Sequence, residues 1–408
     1  MTRASDLRLT LLVLAALFLA ALSSARLLEA AAPEWSGSLK SLALYGEAAP
    51  EGTFPSYKLS SNRFRLNLGW ELTELFRLES SADYQLLWTD PGGIVPLPGS
   101  GVNRRLDLEN RWQEGEAWSS RLQMDHLNLR LQTGRLDAVV GRQPIGFGRI
   151  VIFSPLDIIA PFPPEALDTD VRPGVDAVRA TAYYGLDGQL GGIFVWGDET
   201  RHNSWLLTWS DNRHGLDLLA ITGQLRDRPM VGIGLAGSLG TLGLKGEVAV
   251  YRGQHTDEPF EDLYDTFTIG AVEAWYRFDN GLTLIGQYLY NGPGTDDPDE
   301  YPVVATSAPI SEGLTSLLGR NYLLAAPSYE LHPLATLQGL IIWNLDDESF
   351  LARPTLVLEP GDNFSIEIFW TFNSGEEPQM NAGLLPPLPG SEFGTPGDSG
   401  GLFMKYFF

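Results

Sequence analysis

Cysteine is missing altogether from the 408 residues. No disulfide framework, thiolate metal site or covalently attached c-type haem can therefore be built. Histidine is scarce: His126, His202, His214, His255 and His332 are scattered and form no cluster with metal-ligand spacing. Positive charge is also short. The 28 Lys+Arg stand against 51 Asp+Glu, a net charge of −23, which excludes the basic face that displaces counterions from nucleic-acid phosphates. Charged residues of both signs reach only 19%, below the roughly 25% usual in soluble domains. Beyond residue 32 no apolar run approaches the ~20 residues that a membrane-crossing helix needs. Aromatics, by contrast, reach 11%. The balance suits a chain that shows much of its apolar surface to lipid rather than to water.

The first residues read as an address. Arg3 and Arg8 precede an apolar run from Leu9 to Leu22, followed by Ser23-Ser24-Ala25. A basic start, a short apolar core and small residues at the exit describe a cleavable secretory signal over 1–25, leaving 26–408 as a single domain. No cysteine follows to carry a lipid anchor. An exported chain without spanning helices can cross a membrane only with strands. Because backbone polar groups in lipid must be paired internally, the sheet has to close on itself.

The dominant period after the leader is two. Phe64, Leu66, Leu68 and Trp70 fall on one face of their run, Arg63, Arg65 and Asn67 on the other. The next run sends Phe76, Leu78, Ala82, Tyr84, Leu86 and Trp88 one way and Arg77, Glu79, Ser81, Asp83 and Gln85 the opposite way. A third sets Phe364, Ile366, Ile368, Trp370 and Phe372 against Ser365, Glu367 and Thr371. Such alternation with aromatics near the ends predicts lipid-facing barrel strands. Turn signals at Leu186-Asp187-Gly188, Asp211-Asn212, Asp279-Asn280-Gly281 and Asp346-Asp347 separate several neighbours. Nineteen runs can be drawn, 103–113 among them, whereas a single-chain bacterial barrel has an even number. Either one run is false or one is missing, with Arg149–Phe153 as the spare. The expectation is an all-β, transmembrane antiparallel barrel of about 18 strands, with 16 and 20 open. A soluble sandwich or propeller would have little reason to place Trp and Phe at strand ends, and no fixed-period repeat is present.

Two resemblances sharpen this. Leu402, Met404, Tyr406 and Phe408 share a face, and the segment resembles the terminal strand of Gram-negative outer-membrane barrels, which the barrel assembly machinery reads through a C-terminal Phe. The glycine usual within that motif is displaced here to Gly400 and Gly401. Gly141-Arg-Gln-Pro-Ile-Gly-Phe-Gly-Arg149, Ser154-Pro-Leu-Asp157 and Arg172-Pro-Gly-Val-Asp-Ala-Val-Arg179 together resemble a segment of porin-like proteins related to alginate exporters. That likeness covers about 40 residues, with Phe147 where many relatives carry Trp. It implies a channel in the cell outer membrane whose segment lies at or inside the lumen, and it names no solute.

The expected site is therefore a wet, charged lumen. Arg63, Arg65, Arg77 and Arg130 take the polar phase of their strands, as do Glu79, Asp83, Glu247, Glu273 and Glu367. Arg or Lys on the lipid face would cost about 2–4 kcal/mol at mid-membrane. The proline-rich stretch 143–173 is the candidate constriction, since a loop of this length in a compact fold is usually functional. It is expected to fold inward and narrow the lumen, with Arg149, Arg172 and Arg179 drawing anions and carboxylates such as Asp157 tying it to the wall. The competing placement is an outer loop packed over the rim. Residues 26–180 carry a net −4 and 181–408 a net −20, much of the latter in acidic stretches around 257–265 and 296–300 that read as solvated loops.

Function follows as an expectation: passive passage of small hydrophilic solutes, leaning to anions or acidic sugars, because constriction charge is less screened than distant loop charge. The alternatives are the barrel of an export or electron-conduit complex, and a lipid hydrolase built on His202 and Ser204. No catalytic residue, metal site or cofactor is expected. The expected partners are outer-membrane lipid, the solutes and the assembly machinery, with no nucleic acid and with homo-oligomerisation open.

Overall fold

Alternating residues need a sheet with two unlike faces, and the computed structural model provides one. It describes residues 32–50, 55–90, 102–114, 117–254, 261–378 and 390–408; the expected signal segment 1–25 lies outside them. The strands are β1 (Glu34–Gly46), β2 (Tyr57–Glu71), β3 (Phe76–Thr89), β4 (Glu109–Glu114), β5 (Trp118–Gln132) and β6 (Leu136–Pro144). Then follow β7 (Gly174–Tyr184), β8 (Gly188–Val195), β9 (Ser204–Arg213), β10 (Leu216–Leu225), β11 (Arg228–Leu239), β12 (Leu242–Arg252) and β13 (Thr266–Arg277). The last are β14 (Thr283–Asn291), β15 (Asn321–His332), β16 (Ala335–Asn344), β17 (Phe350–Gly361), β18 (Phe364–Ser374) and β19 (Ser399–Phe407).

Eighteen of these close into one antiparallel barrel. The seam runs from Ser38↔Phe407 to Gly46↔Ser399 between β1 and β19. Past it, Gly37 N–H donates to Phe408 O at 2.8 Å and Phe408 N–H to Gly37 O at 3.0 Å. The nineteenth strand, β4, pairs with the first half of β5, whose other edge already holds β3. The second half of β5 is taken by β6, from Leu127↔Arg142 onward. The run at 103–113 thus yields a short strand that is not a stave of the barrel, and Arg149–Phe153 belongs to a loop.

Turns of two to five residues join the strands at one edge, the edge that also holds Glu34 and Phe408. Longer connections sit at the other, 145–173 and 292–320 among them, together with the two-residue turn Arg226-Asp227. The turn expected at Asp211-Asn212 falls instead at His214-Gly215, where both residues take positive φ (55° and 78°), as a two-residue hairpin turn requires.

The barrel is apolar outside and charged inside. Trp35 (60% exposed), Phe64, Leu207, Ile233, Val272, Ile368 and Phe372 stand on the outer surface. Lys40, Arg65, Asp83, Glu247 and Glu273 are buried within. Aromatics ring both ends of the outer face, with Tyr45, Trp118, Trp205, Trp343 and Phe372 at the long-loop edge. Trp35, Tyr184, Tyr406 and Phe408 mark the short-turn edge. Such girdles mark the two interfaces of a membrane.

At the long-loop edge, connections are latched by buried polar groups rather than left solvated. Arg228 forks onto Asp262 at 2.7 and 3.0 Å and reaches Glu312 at 2.7 Å, so Asp262 is not part of a solvated acidic run. The Glu392 carboxyl accepts from Leu318 N–H (2.8 Å), Tyr322 O–H (2.5 Å) and Asn344 Nδ2 (2.8 Å). Burial outweighs those donors and pushes its pKa up to about 7. A raised carboxyl pKa favours folding most below the ordinary carboxylate range and loses that contribution as pH climbs through the folded value. The Leu318 and Glu392 amides should therefore be better protected from hydrogen exchange at pH 5 than at pH 8, after correction for intrinsic rates. Equal protection would contradict this.

Candidate pore constriction

The 145–173 segment leaves β6 and returns at β7, and between them it touches strands all around the barrel. Arg149 and Ile150 donate their N–H groups to Glu247 Oε1 at 2.6 and 3.2 Å. Val151 N–H donates to Glu273 Oε2 at 2.7 Å. Phe153 N–H donates to Gln287 Oε1 at 3.1 Å, and Gln287 Nε2 returns a bond to Phe153 O at 2.7 Å. Ser154 Oγ donates to Glu247 Oε2 at 2.5 Å, and Leu156 N–H lies 3.3 Å from the same oxygen. Side chains of β12, β13 and β14 thus supply the acceptors that a neighbouring strand would otherwise offer. Farther along, Arg353 on β17 donates to the Glu165 carbonyl at 2.7 Å. Lys40 on β1 binds Asp168 and Asp170, each at 2.7 Å, and Lys405 on β19 sits 3.3 Å from Asp170. A segment with partners on opposite walls runs through the interior. The loop lies in the lumen.

Its first half is greasy, and so is the wall beneath it. Ile145, Ile150, Phe153, Leu156, Ile158 and Ile159 pack against inward Ile193, Leu206, Leu219, Ile221, Ala249, Ile269 and Leu289. Leu156, fully buried, seats over Gly232 and Gly234, where a Cβ would come within 2.5 and 3.0 Å of its methyls. This half of the lumen is dry. Water space remains along β1, β2, β3 and β5.

Two cavities lie in that space. The one nearer the long loops has a volume of about 740 Å³ and is lined by Arg63, Asp83, Gln85, Arg104, Arg105, Asp107, Glu109, Arg111, Arg121, Asp125 and Asp198, among others. The one nearer the short turns, about 440 Å³, is bordered by Glu34, Ser36, Arg65, Asn67, Arg77, Glu79, Ser81, His126 and Val171. A layer of ion pairs separates them. Arg63 forks onto Asp83 at 2.9 and 3.0 Å. Arg65 Nη1 donates to Asp83 at 2.6 Å and to Asp125 at 2.8 Å. Arg104 reaches the other oxygen of Asp125 at 2.8 Å. His126 packs beside this layer, its Nδ1 3.2 Å from Arg65 Nη2 and its Nε2 3.2 Å from the Arg172 carbonyl.

Arg63 and Arg65 thus stand in the layer itself. Arg172 contributes its carbonyl there, while its guanidinium is held by Asp157 at 2.6 Å and by the Ala160 carbonyl at 2.6 Å. Burial outweighs that pairing and pushes the Asp157 carboxyl up to about 6. Arg77 lies below, with Glu71 and Glu34. Arg130 forks onto Asp137 at 2.9 and 2.8 Å near the short-turn edge. Arg149 lies across the barrel, 3.7 Å from Asp217. Arg179 takes the inward phase of β7, opposite Val139 and Ile193, and is not drawn into the layer. Asp125, His126, Arg104 and Lys40 belong to the site but carry no sequence signal of it. Asp125 enters through a register shift in β5, between the pairs Ser81↔His126 and Ala82↔Met124, that no periodicity rule anticipates. His202 and Ser204 do not meet: His202 Nδ1 lies 2.6 Å from Asp198, and Ser204 Oγ accepts from Arg226 N–H.

No protein-family model matches the sequence, nor does any curated protein. Solved structures do match along the chain. OccAB4 of Acinetobacter baumannii superposes with a TM-score of 0.58 at 10% identity, covering 93% of this chain and 99% of that one. OccAB3 of the same organism gives 0.57 at 11%, covering 93% and 99%. OccK8 (OprE) of Pseudomonas aeruginosa gives 0.54 at 10%, covering 92% and 98%. The fold is that of the Gram-negative outer-membrane porins. At such identities the likeness is one of architecture, so this porin fold leaves the work of the site to be argued from its own residues.

Proposed function

We propose that the chain is an outer-membrane porin, a passive path for small hydrophilic solutes that leans towards anions or acidic sugars. One observation carries this reading: two cavities along one wall of a closed barrel, meeting at a guanidinium–carboxylate layer. Guanidiniums at a narrowing offer planar, permanently charged donors to carboxylates, and the larger cavity counts Arg63, Arg104, Arg105, Arg111, Arg121 and Arg142 on its lining. Close to the path these charges act within a Debye length, about 10 Å at 0.1 M salt. The acidic outer loops act from farther away. The filled half of the lumen argues against a sheath around an inserted protein, which would first have to displace Leu156 and its neighbours.

Protein purified in detergent and placed in a planar bilayer should show unitary conductance steps. A salt gradient should give a reversal potential displaced modestly to the anion side. Absence of steps in repeated insertions would overturn the channel assignment, and a clear cation preference would overturn the anion lean while leaving the channel.

A further inference from the structure

We infer that Asp83 sets the selectivity of this passage, by masking the charge of Arg63 and Arg65. The inference rests on the channel reading and goes beyond it by naming the group that decides which sign of ion prevails.

Asp83 sits on β3 directly across from Arg65 on β2, and Arg63 is one inward position away on the same strand. The carboxylate is 5% exposed and accepts three charge-assisted bonds from the two guanidiniums. All three come from side chains, whereas Asp125 also lies 3.3 Å from Gly174 N–H. Both Asp83 oxygens are engaged by the two guanidiniums.

The charge count of the layer gives this its weight. Among the described residues, Arg63, Arg65 and Arg104 face Asp83, Asp125 and Asp168 at contact or near-contact distances. Lys40 and Asp170 add one charge of each sign, and Lys405, 3.3 Å from Asp170, is matched by Glu367 at 2.7 Å. As built, the layer is neutral, and a neutral layer discriminates weakly between anions and cations. Removing the Asp83 charge leaves one net positive charge in the layer, carried by two guanidiniums. The amide of an asparagine would also turn its N–H₂ towards at least one of those guanidinium donors, so Arg63 or Arg65 would be pushed towards the water path. A fixed charge focused by low-dielectric walls enriches counter-ions by an order of magnitude or more.

The test is reversal potential across a KCl gradient for wild type, Asp83→Asn and Asp83→Glu. Native folding of each variant is checked by heat-modifiable mobility in detergent gels. Wild type should be weakly selective, and D83N should raise the chloride-to-potassium permeability ratio on the order of tenfold. D83E, which keeps a carboxylate, should return the ratio towards wild type. A folded, conducting D83N with an unchanged ratio overturns the assignment to Asp83 and leaves the channel intact. Absence of conductance from wild type and variants alike overturns the channel reading, and this one with it. If D83N fails to fold, Arg63→Gln decides: with one masked cation gone, the ratio must move towards potassium, and no movement overturns the inference.

Discussion

Glu247→Ala should loosen the lumen loop while the barrel stays closed. The Glu247 carboxylate accepts from Arg149 N–H, Ile150 N–H, Ser154 Oγ and Leu156 N–H. Each buried donor left without a partner costs about 1–3 kcal/mol, so the loss is on the order of several kcal/mol even after relaxation. That cost falls on one segment, because the ladders from β11 to β13 that hold the strand itself are unaffected. Trypsin should cut after Arg149 in the variant reconstituted in liposomes, and wild type should resist at the same enzyme ratio. Mean conductance should rise, with more noise. A variant as protected and as quiet as wild type would show that the carboxylate does not hold the loop.

The second large effect is expected where Leu156 meets β11. Leu156→Ala removes a fully buried side chain, a change that costs about 2–5 kcal/mol in a close-packed setting. Gly232→Val places a branched side chain where a Cβ alone would lie 2.5 Å from a Leu156 methyl, and overpacking of this kind costs roughly 1–3 kcal/mol. Each single variant should lower the temperature at which the folded gel band disappears. The double variant should recover part of the loss, since the valine occupies room that the leucine vacates. Additive losses would mean that the two positions do not share one packing site.

The strands that could be read most clearly are β2, β3 and β18. Their lumen faces carry Arg65, Asp83 and Glu367 while their outer faces carry Phe64, Tyr84 and Ile368, so the two phases differ in kind. The blurred alternation of β8, β10, β13 and β14 has a physical cause. Ile193, Leu219, Ile221, Ile269 and Leu289 turn inward yet stay apolar because the loop covers them, so both faces of these strands are greasy. The inward course of 143–173 could be expected from its length and from the resemblance to porin-like proteins, with a place over the rim as the alternative. Its anchors were not: Glu247, Glu273 and Gln287 look like ordinary lumen polar residues until the loop's N–H groups arrive. Arg77 and Arg130 show the same limit from the other side. Phase put them inside the barrel, but only strand register could show that they stand near the short-turn edge, with Glu71 and Asp137 as partners.

The two sets of ties on the loop differ in when they can form. Glu247, Glu273 and Gln287 belong to the middle of the sheet and are in place as soon as β12, β13 and β14 pair. Lys40 and Lys405 sit on the first and last strands, at the seam. Lys40 alone reaches both Asp168 and Asp170, while the Lys405 contact to Asp170 requires β19 beside β1. The ties to Lys40 need only the strands from β1 to β6, whereas the Lys405 contact is added by the closure that completes the cylinder.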